Sequence, residues 1–282
     1  MEDKQYWVTY DDYMNNDVKL ARALRNLQLY GLIFIENVPD SREMVAKLAT
    51  RIGPLQNTFY GLTWDVRSVP EAKNVAYTNQ HLGFHMDLLY MGDVPKLQFL
   101  HCLKNSCEGG ESIFADAIQA AQILAETDPA AFSTLSKFIV PYQYVHSDNI
   151  YYRGRSIIQS GESPNGPNKP VIQRVSYSPP FQGRWAVANQ GYSSAKRRHN
   201  YLLSFHDALK KFDRELDDKS AHFELKMQPG TCVVFDNHRI VHARRAFNTS
   251  SGERWLAGAY LANAPFKSKM RVAQRYHPEV FR

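Results

Sequence analysis

The sequence predicts an α+β fold in which a jelly-roll or barrel core of short strands is flanked by helices. From about residue 56, apolar runs of strand length recur between Gly, Pro and Asn residues, a pattern typical of all-β layers. Helical periodicity precedes this region and interrupts it twice. Since no internal repeat or linker composition divides the 282 residues, we predict one domain over residues 1–282, with a helical N-terminal part at about 1–55.

The N-terminal part is predicted to hold two helices and a strand. Residues 11–30 carry apolar side chains at helical spacing, and Gly31 is placed to end that helix. Leu32–Ile35 reads as a short buried strand. Ser41 is predicted to cap a second helix, which Gly53 closes.

The remainder is predicted to be strand-rich, with helices at 116–136, as a pair, and at 195–217. The composition of Ser160–Lys169 predicts a loop. The predicted strands are Asn74–Tyr77, Leu97–Leu103, Ser112–Ala115, Phe138–Tyr144, Val171–Tyr177, Trp185–Ala188, His222–Met227, Thr231–Phe235 and Trp255–Leu261.

Charge and composition argue against several classes of protein. The net charge is +6, but the basic residues are scattered, and the densest cluster, 196–198, fits a solvated helix face. No basic run alternates with aromatics, so we predict no nucleic-acid partner. The absence of a long apolar run predicts no membrane span. An odd count of three cysteines and no apolar leader at the N-terminus favour a cytoplasmic location.

One histidine motif has the spacing of a metal site. In an extended segment, residues i and i+2 point the same way, so His-x-Asp can supply two ligands to one ion. The pattern His-x-Asp/Glu occurs four times and therefore selects nothing by itself. The four copies are His85-Met-Asp87, His146-Ser-Asp148, His222-Phe-Glu224 and His277-Pro-Glu279.

The first copy is the favoured one, because it lies where one strand is predicted to lead into the next. A non-haem Fe(II) centre needs a second histidine from a distant strand, and His242 follows the predicted strand Thr231–Phe235. Arg254, twelve positions later (254 − 242), opens the next strand, and a guanidinium suits a distal carboxylate. Structural histidines remain the alternative at this point.

Several segments resemble a known enzyme family in the right order: FHMDLLY, PKLQFLHCLKN, GGESIFADA, GTCVVFDNHRIVHARRAF and RWLAGAYL. They are similar to γ-butyrobetaine dioxygenase and trimethyllysine dioxygenase, which belong to the taurine-dioxygenase-like Fe(II)/2-oxoglutarate oxygenases. The resemblance runs from about Tyr10 to Arg275. It implies a double-stranded β-helix core in a single catalytic oxygenase domain, with Fe(II), 2-oxoglutarate and O₂ as cofactor and cosubstrates and ascorbate as the reductant.

The resemblance also implies roles for individual residues. His85, Asp87 and His242 match the iron ligands, and Arg254 matches the arginine that binds the distal carboxylate of 2-oxoglutarate. Ser112 matches a hydroxyl position near the cosubstrate. The positions that match the family's substrate site are Tyr60, Trp64, Asn74, Tyr77, Asn189 and Tyr260.

Four of these substrate-site residues are aromatic and match a cage for a trimethylammonium group, which ring faces attract by cation–π interaction. Core packing of the same aromatics is the alternative. Asn74 stands where trimethyllysine dioxygenases carry Asp, which favours γ-butyrobetaine as substrate, and Asn189 is expected to contact the substrate carboxylate.

Three departures from the family pattern bear on the substrate. His238 replaces a Trp, the chain is expected to lack the N-terminal zinc-binding domain of γ-butyrobetaine dioxygenases, and residues 145–179 resemble neither enzyme. We therefore predict hydroxylation of a small trimethylammonium or amino-acid-like substrate, with γ-butyrobetaine to carnitine favoured. The alternatives are hydroxylation, desaturation or cyclisation of a specialised-metabolite intermediate, and a non-catalytic barrel that binds a small ligand. The family often forms dimers, so a homodimer is also an alternative.

Overall fold

The computed structural model describes residues 4–67, 79–161, 171–184 and 195–282. Its α-helices are α1 (Tyr10–Asn15), α2 (Asp17–Tyr30), α3 (Met44–Thr50), α4 (Ala117–Thr127), α5 (Pro129–Lys137), α6 (Ala195–Leu216) and α7 (Asn263–Tyr276). Its strands are β1 (Trp7–Thr9), β2 (Leu32–Glu36), β3 (Thr63–Arg67), β4 (Leu82–His85), β5 (Leu97–Asn105), β6 (Ser112–Asp116), β7 (Ile139–His146), β8 (Asn149–Ser156), β9 (Ile158–Gly161), β10 (Val171–Val175), β11 (His222–Leu225), β12 (Cys232–Asp236), β13 (Ile240–Arg244) and β14 (Arg254–Leu261).

Every predicted strand that lies within the described residues overlaps an observed strand. The predicted strands Asn74–Tyr77 and Trp185–Ala188 lie outside the described residues. The predicted loop Ser160–Lys169 is wrong at its start, because Ser160 and Gly161 belong to β9 and pair with Ile172 and Val171 of β10. Residues 162–169 of that predicted loop lie outside the described residues.

The predicted helix at 11–30 is divided at Asn16. The Asn16 backbone is extended, and its side chain accepts from Lys19 N at 3.1 Å, so it ends α1 and caps α2. Gly31 ends α2 as predicted, in the left-handed region at φ 81, with its N–H donating to Leu27 O.

The predicted cap of the second helix is wrong. The helix begins at Met44 with Glu43 as the preceding residue, and no side chain caps it. The Ser41 hydroxyl instead interacts with Glu43, since its Oγ lies 3.1 Å from Glu43 Oε2. A short-range bond of this kind competes with helix capping.

The chain divides into two compact units, one of residues 1–83, 95–113 and 224–282, the other of residues 84–94 and 114–223. The first contains a six-stranded sheet in the order β1-β2-β12-β5-β14-β3, antiparallel except for the β1–β2 pair. One face of this sheet buries apolar side chains with α2, α3 and α7. That face includes Leu97, Phe99 and Leu103 of β5, so alternation places Gln98 and Cys102 on the other face.

The second unit packs α4, α5 and α6 beside two hairpins, β7–β8 and β9–β10. The predicted helix pair is confirmed, and its two helices meet at Asp128, whose carboxylate accepts from Ala131 N at 2.9 Å. Phe205 of α6 stacks on Phe138 with ring centroids 4.0 Å apart. Phe205 and Phe212 are buried as the periodicity of α6 predicts.

A four-stranded sheet has the order β11-β6-β13-β4. The sequence division between the two units falls inside β4, β6 and β11, which are continuous strands of this sheet. The four-stranded sheet, the six-stranded sheet and the helices are the elements of the α+β jelly-roll fold that the sequence predicts. Among the described helices, none has both the length and the apolar character that crossing a membrane requires.

Candidate metal centre and cosubstrate site

The His85-Met-Asp87 segment leaves β4 in a way that turns both ligand candidates to one side. His85 is the last residue of β4 and is buried, and Asp87 is half-buried two residues later. Met86 N donates to Tyr177 O at 2.8 Å, which fixes the backbone between them. His85 Nε2 lies 3.5 Å from Asp87 Oδ1.

His242 comes from the neighbouring strand. It is the central residue of β13, which lies beside β4 in the four-stranded sheet. One ligand atom from each of His85, Asp87 and His242 lies within 4.8 Å of the others, and this is the one group of its kind among the described residues. The three residues that the sequence selects are therefore brought together.

The donor set fits a divalent iron ion. Non-haem Fe(II) oxygenases bind iron on one face through two imidazoles and one carboxylate, and the remaining coordination positions stay open. Phe235 of β12 packs against the His242 ring with centroids 4.9 Å apart, and this contact restricts the orientation of the imidazole. Such outer contacts orient metal ligands.

Two of the three other histidine motifs are engaged elsewhere. His222 Nε2 bonds with Leu216 O at 2.7 Å, and Glu224 accepts both hydrogen bonds of the Arg245 guanidinium at 2.9 Å. His277 pairs with its own Glu279 at 3.7 Å. His238 falls outside the three-residue group, and its backbone N–H is held by Asp236 Oδ1 at 2.9 Å.

Arg254 opens β14 as predicted. Its Nε is shielded from solvent, and within the described ranges no residue accepts a hydrogen bond from it. Burial lowers the pKa of Arg254 from 12.5 to about 10, so the guanidinium is still a cation at neutral pH. A buried cation with an unused donor is suited to an anionic ligand group.

A second arginine, which sequence reasoning missed, shares this environment. Arg244 lies two residues after His242 on β13 and therefore on the same face of the strand. Its guanidinium carbon lies 4.9 Å from the centroid of Phe247, and that of Arg254 lies 5.5 Å from the same ring. Burial, then the Arg254 charge, lowers the pKa of Arg244 to about 10. The signal in the sequence was the doubled arginine of HARRAF.

The glycine pair before Ser112 lets the backbone approach this cluster. Gly109 and Gly110 both have positive φ, 76 and 77. A Cβ on Gly109 would lie 2.3 Å from Ala246 O, and one on Gly110 would lie 3.4 Å from Arg254 Nε. Ser112 is buried on β6, the strand beside β13, and its contact with a cosubstrate stays a prediction.

Two of the aromatic residues that are predicted to form the cage lie together, and the cage itself stays a prediction. Trp64 of β3 and Tyr260 of β14 are both buried, with ring centroids 5.1 Å apart. Tyr60 packs against Phe59, with ring centroids 4.1 Å apart. Three further predicted substrate residues lie outside the described residues: Asn74, Tyr77 and Asn189.

Gln98 is a polar residue at the same face that sequence reasoning passed over. It is 1% exposed and pairs in register with Phe235 on one side and Tyr260 on the other. Its Oε1 has no hydrogen-bond partner among the residues that the structure describes. Gln98 therefore lies between the ring that contacts His242 and the ring that contacts Trp64. A single polar residue in the apolar run KLQFL was the available signal.

The chain belongs to the family of taurine catabolism dioxygenases TauD and TfdA, whose model matches residues 4–260. It is 34% identical over 273 residues to dioxygenase str8 of Strobilurus tenacellus, covering 92% of this chain and 60% of that protein. It is 29% identical over 280 residues to human gamma-butyrobetaine dioxygenase, covering 96% of this chain and 69% of that protein. The resemblance to the γ-butyrobetaine and trimethyllysine dioxygenases is thus confirmed.

A solved structure shares the fold. Asparagine oxygenase in complex with Fe(II), 2S,3S-3-hydroxyasparagine and succinate superposes with a TM-score of 0.63, at 14% identity, over 91% of this chain and 93% of that one. This confirms the fold class that the sequence predicts. The chain spans 60% of the length of the Strobilurus relative, so what the longer relatives do as whole proteins is a proposal for this chain.

Proposed function

We propose that this chain is an Fe(II)- and 2-oxoglutarate-dependent dioxygenase that hydroxylates an unactivated C–H bond of a small substrate. The observation that carries the proposal is the approach of His85, Asp87 and His242 to within 4.8 Å of one another in a chain of the TauD family. The buried cation of Arg254 adds a second, independent feature, because the proposed cosubstrate is a dicarboxylate.

Each residue has a defined task in this proposal. His85, Asp87 and His242 would hold Fe(II), which together with 2-oxoglutarate and O₂ supplies the oxidising power to insert oxygen into a C–H bond. Arg254 would grip the distal carboxylate of 2-oxoglutarate through two parallel hydrogen bonds, with Ser112 close to the cosubstrate. Ascorbate is the reductant that we expect to sustain the ferrous state.

The favoured substrate is γ-butyrobetaine, with carnitine as product. A quaternary ammonium group donates no hydrogen bond, so ring faces are its best partners. The buried pair of Trp64 and Tyr260 offers such faces, and human gamma-butyrobetaine dioxygenase is 29% identical to this chain over 280 residues. Tyr60, Asn74, Tyr77 and Asn189 are proposed to complete that substrate site.

A specialised-metabolite intermediate is the alternative substrate, with hydroxylation, desaturation or cyclisation as the reaction. The departure of residues 145–179 from the family pattern favours it. The mass of the product separates these outcomes, because hydroxylation adds one oxygen atom and desaturation removes two hydrogen atoms. A non-catalytic ligand-binding barrel is the alternative of another class, and it requires that no substrate stimulates 2-oxoglutarate consumption.

The deciding experiment measures succinate formed from 2-oxoglutarate with Fe(II) and ascorbate, without substrate and then with γ-butyrobetaine, trimethyllysine and a panel of amino acids. We expect turnover that γ-butyrobetaine stimulates and that His242→Ala abolishes. His146→Ala is the matched control, because His146 belongs to another His-x-Asp motif and lies outside the three-residue group. Full activity in His242→Ala would refute the iron site, whereas turnover that no quaternary amine stimulates would reject the carnitine proposal alone.

A further inference from the structure

The backbone that follows Asp87 adopts a conformation that needs support. Leu88 has φ 61, in the left-handed region that residues with a Cβ seldom occupy. A turn then runs to Gly92, with Met91 N donating to Leu88 O at 3.0 Å. Residues in such conformations persist only where neighbouring structure holds them. The contacts that hold this turn therefore also fix the backbone at Asp87, from which its carboxylate side chain extends.

Arg155 of β8 supplies much of that support. Its Nε donates to Leu89 O at 2.8 Å, and one terminal nitrogen donates to Gly92 O at 3.1 Å and also to Met91 O. Three carbonyls of the turn are thus bound by one guanidinium, whose fixed planar fork suits several acceptors at once. These carbonyls lie two to five residues after Asp87 (89 − 87 and 92 − 87).

The same hairpin holds the turn a second time through aromatic rings. Tyr90 is 2% exposed, and its ring centroid lies 5.4 Å from that of Tyr144 on β7 and 6.2 Å from that of Tyr151 on β8. Tyr144 and Tyr151 are directly opposite each other in the β7–β8 register. The hairpin therefore binds both the backbone and the central side chain of the turn.

We propose that Arg155 is a positioning residue for the metal centre, through which the β7–β8 hairpin sets the place of the Asp87 carboxylate. The inference rests on the proposed role of His85, Asp87 and His242 as an iron site. Metal ligands must be held within about 0.5 Å of their productive positions, so a loosened turn lowers metal affinity before it lowers the stability of the fold. All of β8 lies within residues 145–179, which depart from the family pattern, so this chain has its own means of fixing a ligand that the family pattern shares.

The test is metal binding by the apo protein, measured by anaerobic titration with Fe(II) and by the ligand-field spectrum of bound Co(II). Arg155→Met keeps the length and apolar stem of the side chain and removes all three hydrogen bonds. Arg155→Lys keeps the charge and donates to fewer carbonyls. Arg153→Met is the matched control, since Arg153 is exposed on the same strand, two residues away.

We expect Arg155→Met to weaken Fe(II) binding about 10- to 100-fold and to change the Co(II) spectrum. Arg155→Lys should fall between Arg155→Met and the wild type, and Arg153→Met should match the wild type. Addition of low millimolar guanidinium to Arg155→Ala should restore part of the affinity, which a general loss of stability would not allow.

Wild-type affinity and an unchanged Co(II) spectrum in a folded Arg155→Met protein would overturn the proposal. If Arg155→Met does not fold, the same result in Arg155→Lys, with no loss of affinity, would overturn it. Failure of the underlying iron site has a different signature, because the wild type and His242→Ala would then bind metal equally.

Discussion

The indole of Trp64 lies directly over Gly258, its partner on the adjacent strand. The two residues are opposite each other in the β3–β14 register, and a Cβ on Gly258 would lie 2.4 Å from Cζ2 of the indole. Gly258 therefore leaves the space that the indole occupies, and the ring centroids of Trp64 and Tyr260 lie 5.1 Å apart. The position of the Trp64 ring therefore depends on the absence of a Cβ at residue 258.

Gly258→Ala should displace Trp64 from the proposed substrate site. We expect a cost of about 1–3 kcal/mol in the free energy of unfolding, as for other additions of a methyl group to a packed site. Stimulation of succinate formation by substrate should fall, while substrate-independent turnover of 2-oxoglutarate persists. Both are read from the succinate assay and a denaturant titration.

The control for this variant is Gly83→Ala, because among the described residues no heavy atom lies within 4 Å of an added Cβ there. It should leave stability and substrate stimulation near the wild-type values. Unchanged substrate stimulation in Gly258→Ala would show that the ring is core packing rather than part of a binding site.

Arg254→Lys should raise the KM for 2-oxoglutarate about 10- to 100-fold, because the hydrogen bonds of a charged pair contribute about 1.5–3 kcal/mol and lysine lacks the planar fork. Arg244→Lys should have a smaller effect, since the Arg244 guanidinium already donates to Gln80 O at 2.6 Å. Steady-state kinetics with varied 2-oxoglutarate measures both. An equal effect of the two variants would contradict this assignment of the distal carboxylate to Arg254.

The affinity for 2-oxoglutarate should also depend on pH in one direction. Burial lowers the pKa of Arg254 to about 10, and the side chain is cationic below that value. Binding should therefore be constant from neutral pH to about pH 9 and weaken as the pH rises through about 10. Equilibrium binding to the metal-loaded protein under anaerobic conditions provides the measurement. Binding that strengthens above pH 9 would contradict a cationic anchor.

Gln98→Leu should separate a functional carboxamide from a structural one. Within the described residues, the buried Oε1 has no hydrogen-bond partner, so its removal should leave the free energy of unfolding unchanged or slightly raised. Catalytic efficiency with the substrate that stimulates the wild type should fall about tenfold, the size of one lost hydrogen bond. A large loss of stability with wild-type kinetics would assign Gln98 to the core instead.

His101 predicts how stability depends on pH. The imidazole is 0% exposed on β5, and burial lowers its pKa from 6.5 to about 4. Between these two pKa values the unfolded chain binds a proton at His101 that the folded chain does not bind. The contribution of neutral His101 to the free energy of unfolding is therefore complete above pH 6.5 and is lost as the pH falls towards 4. The difference of about 2.5 in pKa corresponds to at most about 3.4 kcal/mol.

Denaturant titrations of the apo protein at pH 7.5 and pH 5 measure this contribution. His101→Leu should lose less stability than the wild type between the two pH values, since the variant has no imidazole to protonate. Parallel losses in the two proteins would assign the acid sensitivity to other groups.

Local signals were sufficient for much of the fold. The strand runs, the end of α2 at Gly31 and the opening of β14 at Arg254 all follow from apolar periodicity and from glycine's access to positive φ. The cap at Ser41 was wrong, because its hydroxyl interacts with Glu43 two residues later rather than capping α3. Such competition between neighbouring polar groups is decided by geometry that the residue types alone do not contain.

The sequence by itself determined the chemistry that the site can offer: two imidazoles, a carboxylate at i+2 from one of them, and an arginine that opens a late strand. The contact itself belongs to the tertiary structure: His242 reaches His85 and Asp87 because β4 and β13 are neighbours in a sheet, although they are far apart in the chain. The same holds for the arginine pair at Phe247 and for the grip of Arg155 on the turn after Asp87. Strand order sets these contacts, and strand order follows from the burial of the whole core rather than from any local pattern.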